Sequence, residues 1–272
     1  MNQIDKMIKN ALKEDIPSID ISSEYLFHDE VSFGKFIAKQ DGVISGINVC
    51  KRTFEIIDKT ISFTVFKQNG DSVMKGDIIA TVSGKTKSIL MAERVGLNFL
   101  QRMSGIATLT SLFVKETIGT HALILDTRKT TPNLRALEKQ AVLDGGGTNH
   151  RMDLSEMVML KDNHLKAAKS IHDAVETVKA QIDSAVKIEV EVESVSMFKE
   201  AIMTRSDIIM LDNMSLEDMK TCVEINNGLK KLEASGNMTL QRIKAVASVG
   251  VDYISVGELT HSYKSLDISL KF

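Results

Sequence analysis

Three short segments gather the residues best suited to chemistry on a multiply charged anion. The first is Asp126-Thr127-Arg128-Lys129-Thr130-Thr131-Pro132-Asn133-Leu134-Arg135. Guanidinium groups clamp carboxylates and phosphates through two parallel hydrogen bonds, and an ammonium adds a mobile point charge. The second is Gly145-Gly146-Gly147-Thr148-Asn149-His150-Arg151, and the third is Lys161-Asp162-Asn163-His164. If Arg128, Lys129, His150, Arg151 and Lys161 meet at one rim, they form a socket for a small ligand with several negative charges. Either acidic or imidazole side chain of the third segment, taken alone, also fits an ordinary loop. A zinc site from His150, His164 and a glutamate is conceivable, but these residues lack the usual ligand spacing.

Acidic and small residues follow further on. In Ile188-Glu189-Val190-Glu191-Val192-Glu193 strand alternation sends all three glutamates to one side. Three like charges on one face need cations or solvent to answer them. Asp212, Glu233-Ala234-Ser235-Gly236-Asn237 and Ser255-Val256-Gly257 end later apolar runs. Glu193 and Asp212 are candidates for holding sugar hydroxyls or steadying a cationic transition state. The small residues suit a phosphate, and plain solvated loops and glycine turns are the competing explanation.

The elements that must position these groups are legible in the hydrophobic pattern. Apolar runs recur at 122–125, 157–160, 186–192, 207–211, 229–234 and 253–256, spaced widely enough for a helix between most of them. That alternation predicts parallel βα units. Each run ends in the polar segments above, and in a (β/α) barrel all strand C-termini open on one face. An open doubly wound sheet is the minor alternative. Thr131-Pro132 reads as an N-cap and first helical residue, with Gly145-Gly146-Gly147 stopping that helix.

The first hundred residues differ. A helix over about 4–14 leads to strands at 31–39 and 61–66, and residues 69–80 carry a hairpin signal. A second helical pattern covers 88–103, and Ser104-Gly105 punctuates it before another run through Ile118. Residues 69–80 faintly resemble a lipoyl or biotinyl half-motif without a lysine in the turn.

The 34 Lys and Arg nearly cancel the 36 Asp and Glu, so no global field for polyanions is implied. No Trp and only three Tyr argue against stacking on nucleic acid. No run approaches a membrane span, no signal-peptide core is seen, and Cys50 and Cys222 read as reduced thiols of a cytoplasmic protein.

Taken in series, Asp-Thr-Arg-Lys-Thr-Thr-Pro, Asn-His-Arg and Lys-Asp-Asn-His resemble the quinolinate phosphoribosyltransferase family. Supporting matches run from Ala92-Glu93-Arg94 through Ser104–Thr108, Glu191–Glu193, Leu211-Asp212-Asn213 and Glu233–Gly236 to Gly257. The resemblance implies an N-terminal α/β sandwich domain over 1–104, rejoined by 265–272, and an incomplete, open α/β barrel of parallel strands over 105–264. It implies transfer of phosphoribosyl from phosphoribosyl pyrophosphate (PRPP) to quinolinate with decarboxylation, giving nicotinate mononucleotide for NAD biosynthesis. It also implies a homodimer, or an oligomer of dimers, in which each site borrows Arg94 from its neighbour.

By the same resemblance Arg94, Arg128, His150, Arg151 and Lys161 bind quinolinate, with Thr130 beside them, and Lys129 lies between the two substrates. Glu193 and Asp212 face the ribose and a magnesium ion carried mainly by the pyrophosphate. Ser235, Gly236, Asn237 and Gly257 cradle the 5′-phosphate. Lys129, Lys161, Glu193 and Asp212 are the catalytic candidates. The chain departs from the family with Asn237 where a second glycine is usual and with Ile19-Asp20 for a usual Gly-Asp. Three other functions compete: a molybdenum-transport-associated homologue of the same fold, an aldolase forming a Schiff base at Lys161, and a non-catalytic metabolite-binding dimer.

Overall fold

The computed structural model describes residues 3–272. The chain runs α1 (Gln3–Asp15), α2 (Ile21–Leu26), β1 (Val31–Ala38), β2 (Gly42–Val43), α3 (Ile47–Ile57), β3 (Ser62–Val65), β4 (Ser72–Val73), β5 (Ile78–Lys85) and α4 (Thr86–Lys115). It continues through β6 (Leu123–Leu125), α5 (Arg135–Asp144), β7 (Val158–Leu160), α6 (Asp162–Ala167), α7 (Ile171–Lys179), β8 (Ile188–Val192) and α8 (Val195–Ala201). It closes with β9 (Ile208–Asp212), α9 (Leu216–Asn226), β10 (Lys231–Ser235), α10 (Leu240–Val249), β11 (Tyr253–Ser255), α11 (Glu258–His261) and β12 (Ile268–Lys271). Two compact units result, 1–111 with 131–146 and 263–272, and 112–130 with 147–262.

The first unit holds an antiparallel sheet in the order β12-β1-β5-β3. Its β1 alternates exposed and buried positions, and Phe36 from its inner face meets Phe54 and Phe63 at ring separations of 5.8 and 5.3 Å. The C-terminal strand pairs with β1, Phe36 standing opposite Leu270. Residues 72–73 pair with β2 rather than forming a hairpin with β5, which corrects the expectation for 69–80.

Two helix boundaries also differ from the sequence reading. Ser104-Gly105 does not punctuate α4, which runs on continuously through both residues. Gly105 is there for packing: a Cβ would stand 2.2 Å from the carbonyl oxygen of Lys264. Thr131 is not an N-cap, and α5 starts at Arg135 because Asn133 takes a left-handed backbone, φ 66°, that a helix cannot pass through. The Thr131 N–H instead donates to the buried carboxylate of Glu138 at 3.0 Å, and Arg102 also holds Glu138.

The second unit is an open barrel segment of parallel strands in the order β6-β11-β10-β9-β8-β7, with β6 and β7 as its edges. All six predicted apolar runs are strands of this sheet. Helices fill the connections, and α7, α8 and α9 each begin at a serine, Ser170, Ser194 or Ser215, whose hydroxyl accepts an N–H of the first turn. Ile188, Val190 and Val192 of β8 are fully buried. The opposite side chains fall in register across the sheet: Glu191 beside Met210, Met210 beside Glu233, then Asp212 beside Ser235 one step on. That face and the loops at the strand ends carry the site.

Candidate active site

A cavity of about 900 Å³ opens at the C-terminal ends of the parallel strands. Arg128 and Lys129 reach it from the loop after β6, His150 and Arg151 from the segment before β7, and Lys161 from the end of β7. Asp212 ends β9, Ser235, Gly236 and Asn237 follow or end β10, and Gly257 follows β11. The structure therefore brings together ten of the residues singled out from sequence.

Three others lie elsewhere. Thr130 is not on the wall, and its hydroxyl turns back to the Arg128 carbonyl at 3.4 Å. Arg94 is exposed on α4 in the other unit. Glu193 is a correction: β8 ends at Val192, and the side chain beyond it is exposed and absent from the wall. Glu191, two residues earlier and still within the strand, occupies the cavity. Its carboxylate pairs with Lys161 at 3.3 Å. Burial raises the Glu191 pKa and the Asp212 charge adds to this, while Lys161 works against both.

The cationic side holds two guanidinium groups in tension. Arg151 donates to the Met157 carbonyl at 2.8 Å and lies near the Met159 sulfur. Burial and then the charge of Arg128 disfavour its charged form. Arg128 Nε is buried without a hydrogen-bond partner. Unsatisfied buried donors on neighbouring cations are costly until an anion answers them. An anion placed against this wall would relieve that cost.

The side formed by the loops after β9 and β10 is backbone and small side chains. Gly236 sits at φ 90°, and a Cβ there would stand 2.2 Å from Asn213 Oδ1. Asn237 adopts φ 49°, and its amide donates to Asn213 Oδ1 at 3.2 Å. Asparagine therefore supports the left-handed turn that a second glycine would take freely. Asn213 in turn donates to Asp212 at 2.6 Å, so the loops after β9 and β10 are tied together. Arg242 fixes the same corner through the carbonyls of Gly236 and Met214, at 3.2 and 2.7 Å.

His150 leads down to a group that sequence reasoning left undeveloped. Its Nε2 lies 3.1 Å from Glu189 Oε2 and 3.5 Å from Glu233 Oε2, with side-chain exposures of 7%, 0% and 1%. Ser255 donates to Glu233 Oε1. Burial, then the Glu233 charge, raise the Glu189 pKa. Burial opposes a charged imidazole, but hydrogen bonds to both glutamates raise the His150 pKa. The cluster as a whole holds protons tightly. Three glutamates two apart on a strand were the available signal, because a barrel strand cannot leave that face in water.

His164 is not part of the group formed by His150, Glu189 and Glu233; its Nδ1 accepts the Lys161 backbone N–H at 3.0 Å and caps α6. Lys161, nearly half exposed and paired with Glu191, is not the desolvated amine that Schiff-base chemistry requires.

The profile described as "Quinolinate phosphoribosyl transferase, N-terminal domain" matches residues 20–104, and the one described as its C-terminal domain matches residues 106–271. The chain is 40% identical over 268 residues to a probable nicotinate-nucleotide pyrophosphorylase [carboxylating] of Bacillus subtilis, covering 98% of this chain and 93% of that one. It is 43% identical to the chloroplastic nicotinate-nucleotide pyrophosphorylase of Arabidopsis thaliana, covering 97% and 81%. The crystal structure of NadC from Streptococcus pyogenes superposes with a TM-score of 0.96 at 42% identity, covering 99% and 96%.

Proposed function

Given that the chain belongs to the quinolinate phosphoribosyltransferase family, we propose that it transfers the phosphoribosyl group of PRPP to quinolinate and decarboxylates the adduct to nicotinate mononucleotide. The observation that carries this reading is the paired arginine wall, where Arg128 Nε lacks a partner and the charge of Arg128 disfavours that of Arg151. A pyridine dicarboxylate satisfies both guanidinium groups with one rigid ligand, and Lys161 closes the same wall.

Bound in this way, the pyridine nitrogen faces the acidic edge of the cavity, where Asp212 and Glu191 lie. The nitrogen lone pair attacks the anomeric carbon of PRPP, and the C–O bond to pyrophosphate breaks with inversion. Positive charge developing on the ribose is steadied by those carboxylates. Holding both reactants in one site replaces a bimolecular encounter and supplies much of the acceleration. Ser235, Gly236, Asn237 and Gly257 receive the 5′-phosphate, and Lys129 stands between the two ligands. In the second stage the bond to the carboxylate beside the quaternary nitrogen breaks. Its electron pair stays on the ring carbon, carbon dioxide departs, and an ammonium, Lys129 or Lys161, returns a proton there.

Magnesium fits this edge, because the Asp212 carboxylate is the hard oxygen donor that the ion prefers. Its chemistry is to neutralise the departing pyrophosphate. Glu193 stands outside the cavity. The assembly proposed is a homodimer in which Arg94, exposed on α4 one turn before Asn98, reaches a partner copy's site.

Turnover is the direct test. Quinolinate, PRPP and magnesium should yield carbon dioxide and nicotinate mononucleotide, whereas nicotinate, lacking one carboxylate, should be a poor acceptor. Absence of product from quinolinate would overturn the reading. Among the described residues no helix is long and apolar enough to cross a membrane.

A further inference from the structure

The loops after β6 and β11 leave the sheet side by side. Ser255 pairs with Leu125 in parallel register, and the Val256 N–H donates to the Leu125 carbonyl at 2.9 Å. The first loop carries Lys129, and the second carries Gly257, which opens the short helix α11 holding Thr260. Thr260 is 1% exposed and stands behind the cavity wall rather than on it.

Its hydroxyl departs from the usual habit of a helical threonine, which turns the O–H back to a carbonyl three or four residues earlier. That carbonyl, on Gly257, lies 3.5 Å away, whereas the Lys129 carbonyl lies at 2.8 Å. A hydroxyl has one proton to donate, and here it goes to the nearer oxygen, on the neighbouring loop. Lys129 is held at both backbone groups and along its stem. Its N–H donates to Thr127 Oγ1 at 3.1 Å, and its carbonyl accepts from Thr260. A Cβ on Gly257 would come within 3.1 Å of Lys129 Cδ, so the bare glycine is the seat over which the lysine stem passes.

We infer that Thr260 is a positioning residue for Lys129: through the Lys129 carbonyl it sets the lysine at the cavity wall and ties that setting to α11 and Gly257. An ammonium on a four-carbon stem has many rotamers, and a site that needs it in one place must fix the backbone it hangs from. Holding the N–H and the carbonyl of one residue does this, and the seat on Gly257 restricts the stem. On the proposed function Gly257 receives the 5′-phosphate and Lys129 stands between the two ligands. A phosphoribosyl donor docked at Gly257 then meets a lysine whose backbone is bound to the same helix. Only the naming of the ligands rests on the proposed function; the placing of Lys129 by Thr260 stands without it.

Thr260→Val keeps the shape of the side chain and removes the donor, whereas Thr260→Ser keeps the donor. The valine variant should lower kcat/KM for quinolinate about tenfold or more, since misplacing a reacting group by an ångström costs on the order of a hundredfold. Its melting temperature should fall by no more than about 4 °C. The serine variant should stay within about threefold of wild type. A double-mutant cycle with Lys129→Ala is decisive: if Thr260 acts through the lysine, Thr260→Val should change the Lys129→Ala protein by less than about twofold. Effects that multiply, a serine variant as slow as valine, or a valine variant with wild-type kcat/KM would overturn the inference.

Crystals of the ligand-free variants give a second arm that needs no turnover. Lys129 should leave its seat on Gly257 in Thr260→Val and keep it in Thr260→Ser. A lysine unmoved in the valine variant would refute the positioning role whatever the rates. Thr260→Ala, which removes the donor without steric demand, carries the same expectations and replaces a valine variant that does not fold. A wild-type protein inert toward quinolinate would overturn the functional reading while leaving Thr260 to be judged by these crystals.

Discussion

Arg151→Ala separates the anion wall's contribution to binding from its contribution to stability. In the free protein the side chain donates to the Met157 carbonyl at 2.8 Å, worth about 0.5–1.5 kcal/mol, and more weakly to the Met159 sulfur at 3.8 Å. Against this, burial and the adjacent Arg128 both disfavour the charged guanidinium, so truncation also relieves a cost. The two effects oppose each other, and the melting temperature without ligand should move by only about 2–4 °C in either direction. Binding should respond very differently. Removing one partner of a desolvated charge pair costs about 2–5 kcal/mol. At about 1.4 kcal/mol per decade, that weakens quinolinate thirtyfold to several thousandfold. Quinolinate at a hundred times the wild-type Kd should stabilise wild type by about 2.7 kcal/mol, and a hundredfold weaker variant by about 0.4 kcal/mol. Thermal melts with and without quinolinate, together with kcat/KM, read both quantities. A variant that keeps its ligand-induced shift and a near-normal kcat/KM would refute the argument. A melting temperature that collapsed without ligand would show Arg151 to be a structural residue instead.

Gly236→Ala should raise the KM for PRPP by about tenfold or more, because the new Cβ would meet Asn213 and a positive φ is strained for alanine; an unchanged KM would remove this loop from the phosphate site. Asp20, the N-cap of α2, accepts the N–H groups of Ser22 and Ser23, so Asp20→Ala should cost about 0.5–2 kcal/mol in denaturant titration. Hydrogen bonds from Ser23, then Ser22, lower the Asp20 pKa from 3.8 in the folded state. That contribution is therefore complete above this value and should vanish as the pH falls through the lower folded-state pKa. Mixing Arg94→Ala and Lys161→Ala proteins should restore activity through one intact site per mixed dimer, and no recovery would rule out Arg94 acting across an interface.

Most of the second unit was legible because the hydrophobic signal and the strand length agree: six short apolar runs became six parallel strands. The misreadings occurred where a contact distant in sequence outweighs local preference. Ser104-Gly105 has the composition of a break, yet the glycine is needed because the Lys264 carbonyl packs against the helix. Thr131-Pro132 has the composition of a helix start, yet Asn133 turns left-handed and Glu138 takes the Thr131 N–H. Pairing of 72–73 with 42–43 has no local signature, since strands two residues long carry no periodicity.

The glutamates of β8 show how far alternation alone can be pushed. It correctly sends Glu189 and Glu191 to one face, but it does not give the residue at which the strand ends. A strand stopping at Val192 puts Glu193 into solvent, while Glu191 meets Lys161 and Glu189 meets His150. Two acidic groups on one buried face must each find a separate answer, a lysine for Glu191 and an imidazole for Glu189. The same requirement explains how a chain with near-balanced charge can select a polyanion. Attraction comes from Arg128 and Arg151 held close together with few partners, and salt screens such local, partly buried charges far less than it would a diffuse surface field.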